Sequence, residues 1–137
     1  MDRLYLDANV ILDYLQQRPN AEFVQKILLM AHKNQVGLVT SVLNFATIFY
    51  IEKRRGHSTR MVLDRFKLIN KIISPVDQTA QSYHSAMSSN FTDFEDALQY
   101  FAAMESESSF IITGNKKDFK RATIPVLTSR EYITRNI

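Results

Sequence analysis

Two rhythms of apolar residues alternate along the chain. Residues 3–6 form a short mixed run ending at Asp7, after which Val10, Ile11, Tyr14 and Leu15 recur at helical spacing. Pro19 and Asn20 open a second helix, with Asn20 as its N-cap and Phe23, Val24, Ile27, Leu28 and Ala31 as its apolar stripe. Residues 36–40 read as a short buried strand. Ser41 caps a third helix running to about Arg55, where Lys53, Arg54 and Arg55 suit the negative end of the dipole and Gly56 suits the stop. Residues 58–71 are amphipathic through Val62, Leu63, Phe66 and Ile69. Residues 72–74 make a minimal strand closed by Pro75. Asp77 caps the next helix, which has Ala80, Tyr83, His84 and Met87 on one side. The run Thr92, Asp93, Phe94, Glu95 reads as a capping box, with Thr92 as N-cap and Glu95 at the third helical position. Phe94, Ala97, Leu98, Phe101 and Ala102 carry that helix. Residues 109–113 form the clearest strand, followed by a shorter one near residues 125–127 and a helix after Ser129.

Short apolar strands alternating with amphipathic helices predict an α/β fold, with a central parallel sheet covered by helices on both faces. The 137 residues, with no linker or repeat, suit a single domain over 1–137. In such sheets ligands bind beyond the carboxyl ends of the strands, where the strand order reverses.

Composition narrows the chemistry. The absence of cysteine removes disulfides, thiolate zinc sites and cysteine nucleophiles. Three glycines, Gly37, Gly56 and Gly114, build no phosphate-cradling loop, and His32, His57 and His84 are too widely spaced for a helical zinc motif. No apolar run approaches the roughly 20 residues that span a bilayer. The opening MDRLYLD has no signal-peptide pattern, so a cytoplasmic protein without membrane attachment is expected. The net charge of +3 is compatible with a polyanionic partner but does not require one.

Acidic residues fall where the strand-end rule points. Asp7 ends the first strand, Asp118 follows the strand around Ile111, and Asp93, Glu95 and Asp96 open the helix preceding that strand. Asp93 and Asp96 are three apart and share a side, and Asp96 flanks the apolar stripe. Carboxylates gathered without basic partners repel one another unless a hard divalent cation such as Mg²⁺ or Mn²⁺ bridges them. Each acid also has a structural reading: Asp7 and Asp93 as helix-start residues, Glu95 as a capping-box residue, and Asp118 as a turn residue. Asp13, Asp64 and Glu52 read as solvated helix faces.

The strings LDANVILDYL, DFEDALQYFAA and IITGNKKDF, in this order, resemble the PIN domain in its short bacterial VapC-like form. The resemblance covers essentially the whole chain. It implies a three-layer α/β/α fold with about five parallel strands and a Mg²⁺- or Mn²⁺-dependent endoribonuclease activity. It also implies a partner antitoxin, an RNA substrate and a homodimer. By position, Asp7, Asp93 and Asp96 match the catalytic, metal-binding acids, and Asp118 a further ligand. Asn9, Thr113 and Asn115 match supporting positions, with Asn115 standing where an Asp is common.

A second departure lies in the third helix, where the family usually carries a Glu and this chain has Thr47. Asn44 and Thr47 are the polar exceptions on an otherwise apolar helix. Either Thr47 bonds back to its own helix and Asn44 to a loop, or both face the acidic pocket. Lys116 and Lys117, with Lys120 and Arg121, surround the last motif and suit RNA phosphates, as do Lys53, Arg54, Arg55 and Arg60; ordinary solvated cations fit the same positions. The alternative function is a degenerate PIN module that holds RNA or a protein without efficient cleavage. A receiver-like signalling domain would want paired acids at the first strand, which this chain lacks.

Overall fold

The first strand sets the layering, because its alternate side chains are buried on opposite faces. In the computed structural model, which describes residues 1–135, β1 spans Asp2–Leu6. Leu4 and Leu6 join one apolar cluster and Tyr5 the other, so the strand is covered on both sides. The other strands are β2 (Val36–Ser41), β3 (Ile73–Val76), β4 (Phe110–Ile112) and β5 (Val126–Leu127). All pairings are parallel, in the order β3-β2-β1-β4-β5.

Helices α1 (Ala8–Leu15), α2 (Ala21–His32), α3 (Val42–Arg54), α4 (Thr59–Ile69) and α7 (Ser129–Arg135) contribute to the cluster containing Leu4 and Leu6. Helix α6 (Phe94–Glu105) packs Tyr100, Ala102 and Ala103 against Tyr5 on the opposite face, and α5 (Ala80–Met87) packs against α6. This is the expected three-layer α/β/α architecture with a five-stranded parallel sheet. The chain passes from β1 to β2 through α1 and α2, and from β3 to β4 through α5 and α6. The strand order therefore reverses beside β1. The register pairs Leu6 with Ile112, so Asp7 and Thr113 emerge side by side at the carboxyl ends of β1 and β4.

Local chemistry explains where the elements differ from the sequence reading. Pro75 lies within β3 instead of closing it, because β3 is an edge strand and a missing N–H there disturbs no second ladder. The N-cap of α5 is Thr79, whose hydroxyl accepts from the Ser82 amide at 2.9 Å, and not Asp77. The N-cap of α6 is Asp93, whose backbone is extended and whose side chain accepts from the Asp96 amide, so the box read with Thr92 as N-cap and Glu95 at the third position is not formed. Asn20 holds the cap position of α2 without a side-chain bond. Gly56, at φ +96°, stops α3 as its position suggested.

Glu52 is not a solvated residue. It is 1% exposed, its Oε1 accepts from Gln16 Nε2 at 3.0 Å, and Arg55, His57 and Arg65 surround it. It anchors the α3–α4 turn to the end of α1. Asp13 is half-buried against Arg18, whereas Asp64 is exposed.

Candidate active site

Asp7 stands at the helix-start position of α1 but makes no side-chain capping bond. Its amide donates to the Ile112 carbonyl at 3.0 Å, which ties the residue to the end of β4. Its Oδ2 accepts from the fully buried Thr113 hydroxyl at 2.8 Å. Burial raises the Asp7 carboxyl above its ordinary range. The Thr113 hydroxyl, the Asn9 amide, the Gln99 side-chain amide and the Ala8 amide oppose that rise. Asn9 thus acts on Asp7 through its backbone, and its own side chain is exposed.

Asp96 lies in the first turn of α6 and is half-buried. Its carboxyl is pushed up to about 7, first by desolvation and then by the charges of Asp118, Asp93, Asp7 and Glu95. These acids come from segments far apart in sequence, and the fold places them in one electrostatic neighbourhood. Asp93 Oδ1 accepts from the Asp96 amide at 3.0 Å, so one oxygen of that carboxylate is engaged as the cap. Asp118 sits in a 3₁₀ turn, Lys116–Phe119, anchored by the buried Phe119. Among the described residues, no Lys, Arg or His forms an ion pair with Asp7, Asp93, Asp96 or Asp118.

The donor set fits a hard divalent cation: carboxylates only, mutually repelling, without a protein counter-charge. No three His, Cys, Asp or Glu side chains among the described residues stand ready to close on one ion.

A polar network lies beneath the acids. Asn44 is fully buried, and its Nδ2 donates to Thr40 Oγ1 at 2.8 Å and Gln99 Oε1 at 3.0 Å, with Tyr5 Oη at 3.2 Å also in reach. Burial holds the Tyr5 hydroxyl well above its ordinary value. Thr47, by contrast, bonds back to the Leu43 carbonyl at 3.2 Å and is half-buried. Gln99 and Tyr5 were missed by the sequence reading. Gln99 follows Asp96 by three residues on the same helix, a spacing that marks a shared side.

The last motif divides. Asn115 is exposed, and its amide donates to Thr113 Oγ1 at 3.2 Å. Lys116 pairs with Glu131 at 3.2 Å, while Lys117 is exposed.

The PIN domain profile matches residues 3–117. This chain belongs to the PIN domain family. A relative, ribonuclease VapC1 of Aquifex aeolicus, is 28% identical over 140 residues, covering 98% of this chain and 95% of the relative. Among solved structures, VapBC2 from Rickettsia felis bound to a promoter DNA fragment matches with a TM-score of 0.67 and 15% identity, over 91% of this chain and 96% of that one. VapBC-1 from nontypeable Haemophilus influenzae matches with a TM-score of 0.66 and 17% identity, over 93% of this chain and 98% of that one. These structural likenesses agree with the PIN fold observed here. Among the described residues, no helix is long and apolar enough to cross a membrane.

Proposed function

We propose that this chain, read as one PIN domain over its full length, is a divalent-metal-dependent endoribonuclease and the toxin of a toxin–antitoxin pair. The observation that carries the reading is the cluster of Asp7, Asp96, Asp93 and Asp118 at the reversal in strand order, with no basic partner among them. The relative named as a ribonuclease and the VapBC neighbours support the activity and the antitoxin. A cytoplasmic setting and a homodimer belong to the same reading.

Asp7 and Asp96 would hold the Mg²⁺ or Mn²⁺, with Asp118 and the free oxygen of Asp93 within the same cluster. The bound ion would supply an activated water and offset the charge gained by an attacked phosphodiester. The protein's own part is to orient and to manage protons. Thr113 fixes Asp7, the α6 cap fixes the Asp93–Asp96 pair, and Asp96, whose carboxyl is raised to about 7 without the ion, would release its proton as the ion binds. Exposed Lys117, beside the last motif, is the cation assigned in this reading to RNA phosphates.

Incubating the purified protein with a mixed RNA in Mn²⁺, and again with EDTA, tests the reading. Cleavage that requires the ion and is lost in Asp96→Asn supports it; no cleavage under either condition contradicts it. The back-bonded Thr47, which leaves the helix without a carboxylate there, favours a second reading: a module that binds RNA without cutting. RNA retention without product in the same experiment would select that reading.

A further inference from the structure

The hydrogen bonds beneath Asp7 have a direction set by the main chain. The Leu6 carbonyl has no proton to give, so the Thr40 hydroxyl donates to it, at 2.7 Å. With its hydrogen committed, Thr40 Oγ1 only accepts, and the group facing it from Asn44, at 2.8 Å, is the Nδ2 amide. The same nitrogen donates its second hydrogen to Gln99 at 3.0 Å, which turns the Gln99 carbonyl toward Asn44. That leaves the NH₂ of Gln99 as the group that acts on the Asp7 carboxyl and opposes the rise that burial imposes on it. Thr40 and Asn44 are fully buried and Gln99 is 3% exposed, so water does not compete for these bonds. Asn44 Oδ1 has no partner, an arrangement retained at the cost of one unsatisfied acceptor.

We infer that Gln99 is a positioning residue, oriented by the chain Leu6–Thr40–Asn44–Gln99, which presents an amide donor to Asp7 and holds that carboxylate in place for the metal. The inference rests on the metallonuclease reading for its purpose. It assigns the helix-α3 polar position in this pocket to Asn44, acting through Gln99, and not to Thr47. A neutral amide pair thereby orients the acid without adding charge to a cluster already rich in carboxylates.

The test uses the full chain. Gln99→Met keeps length and removes the donor; partners that orient a metal ligand typically contribute about 10–100-fold in metal affinity or activity. Calorimetric titration should therefore show Mn²⁺ binding weakened by about 10–100-fold, and cleavage should lose kcat with KM for RNA unchanged. Asn44→Leu, which does not touch Asp7, should lose affinity in the same direction and lose nothing further in the Gln99→Met background. Should Asn44→Leu fail to fold, Thr40→Val, nearly isosteric, takes its place. Additive losses, or a Gln99→Met protein that binds Mn²⁺ as wild type while Asp7→Asn does not, would overturn the inference.

A metal-free readout separates this inference from the reading beneath it. The Gln99 side-chain amide resonances should be displaced in wild type and move toward free-amide positions in Asn44→Leu or Thr40→Val. Resonances that stay in place overturn the inference whatever the nuclease activity. A wild-type protein that neither binds Mn²⁺ nor cuts RNA overturns the metallonuclease reading, and the resonances then decide the chain alone.

Discussion

The Thr113 hydroxyl donates to Asp7 Oδ2 at 2.8 Å, joining residues 106 apart in sequence at the ends of adjacent strands. The bond follows from the sheet: β1 and β4 are neighbours in parallel register, and each strand ends one residue before the pair. Both side chains are buried, so the acid is held in one orientation by a neutral donor. A carboxylate arranged in this way keeps its charge available to a ligand in the crevice.

Removing that donor isolates its contribution. Thr113→Val preserves shape and leaves Asp7 desolvated with one fewer hydrogen bond. Mn²⁺ affinity, measured by calorimetry, should fall by about tenfold or more while the far-ultraviolet circular dichroism stays native. An unchanged affinity would show that Thr113 serves only the sheet end.

Asp96 makes stability depend on pH. Its carboxyl is raised from 3.8 to about 7, so between those values the folded protein holds a proton that the unfolded chain has released. Without metal, this group's contribution to stability declines as pH rises from about 4 to about 7 and stays low above. Asp96→Asn should therefore melt higher than wild type at pH 8, by on the order of 1 kcal/mol after solvent screening, with the difference vanishing near pH 4. Cleavage by the variant should be abolished. A variant less stable than wild type at pH 8 would mean that Asp96 supports the fold instead.

The same proton competes with the ion. Apparent Mn²⁺ affinity should fall roughly tenfold from pH 8 to pH 6 as the Asp96 carboxyl becomes protonated. Titrations at the two pH values measure this directly, and equal affinities would remove Asp96 from the ligand set.

Glu52 gives a contrasting outcome. Glu52→Ala leaves Gln16, Arg55, His57 and Arg65 without their shared buried partner. Urea denaturation should show a loss of about 3 kcal/mol, the low end of the cost of breaking a buried pair because Arg55, His57 and Arg65 are partly exposed. Cleavage per folded molecule should be unchanged, since Glu52 lies outside the acidic cluster. A denaturation midpoint equal to that of wild type would contradict the anchoring role.

Legibility in the sequence followed the range of the interaction. Helix stripes and strands are local patterns, and β1, β2 and β4 and their helices lie where the apolar spacing placed them. Caps were less legible because several capping residues stood within two or three positions of one another: Asp93 took the place read for Thr92, and Thr79 that read for Asp77. Glu52 looked solvated because its partners, Gln16 and Arg65, come from other helices, and burial of a charge depends on such distant contacts. The acids were visible as strand-end residues, but the Asn44–Gln99 link joins residues 55 apart in sequence and could not be read from either helix alone. Thr47, singled out by position, spends its hydroxyl on its own helix.

One measurement tests the metallonuclease reading most directly: cleavage of a mixed RNA by the wild-type protein across a Mn²⁺ titration, run beside Asp7→Asn and Asp96→Asn. Product should rise with Mn²⁺ and disappear with EDTA, and neither variant should give product above background while both remain folded. Cleavage by Asp7→Asn or Asp96→Asn at the wild-type rate, or cleavage by wild type that is indifferent to EDTA, would contradict it.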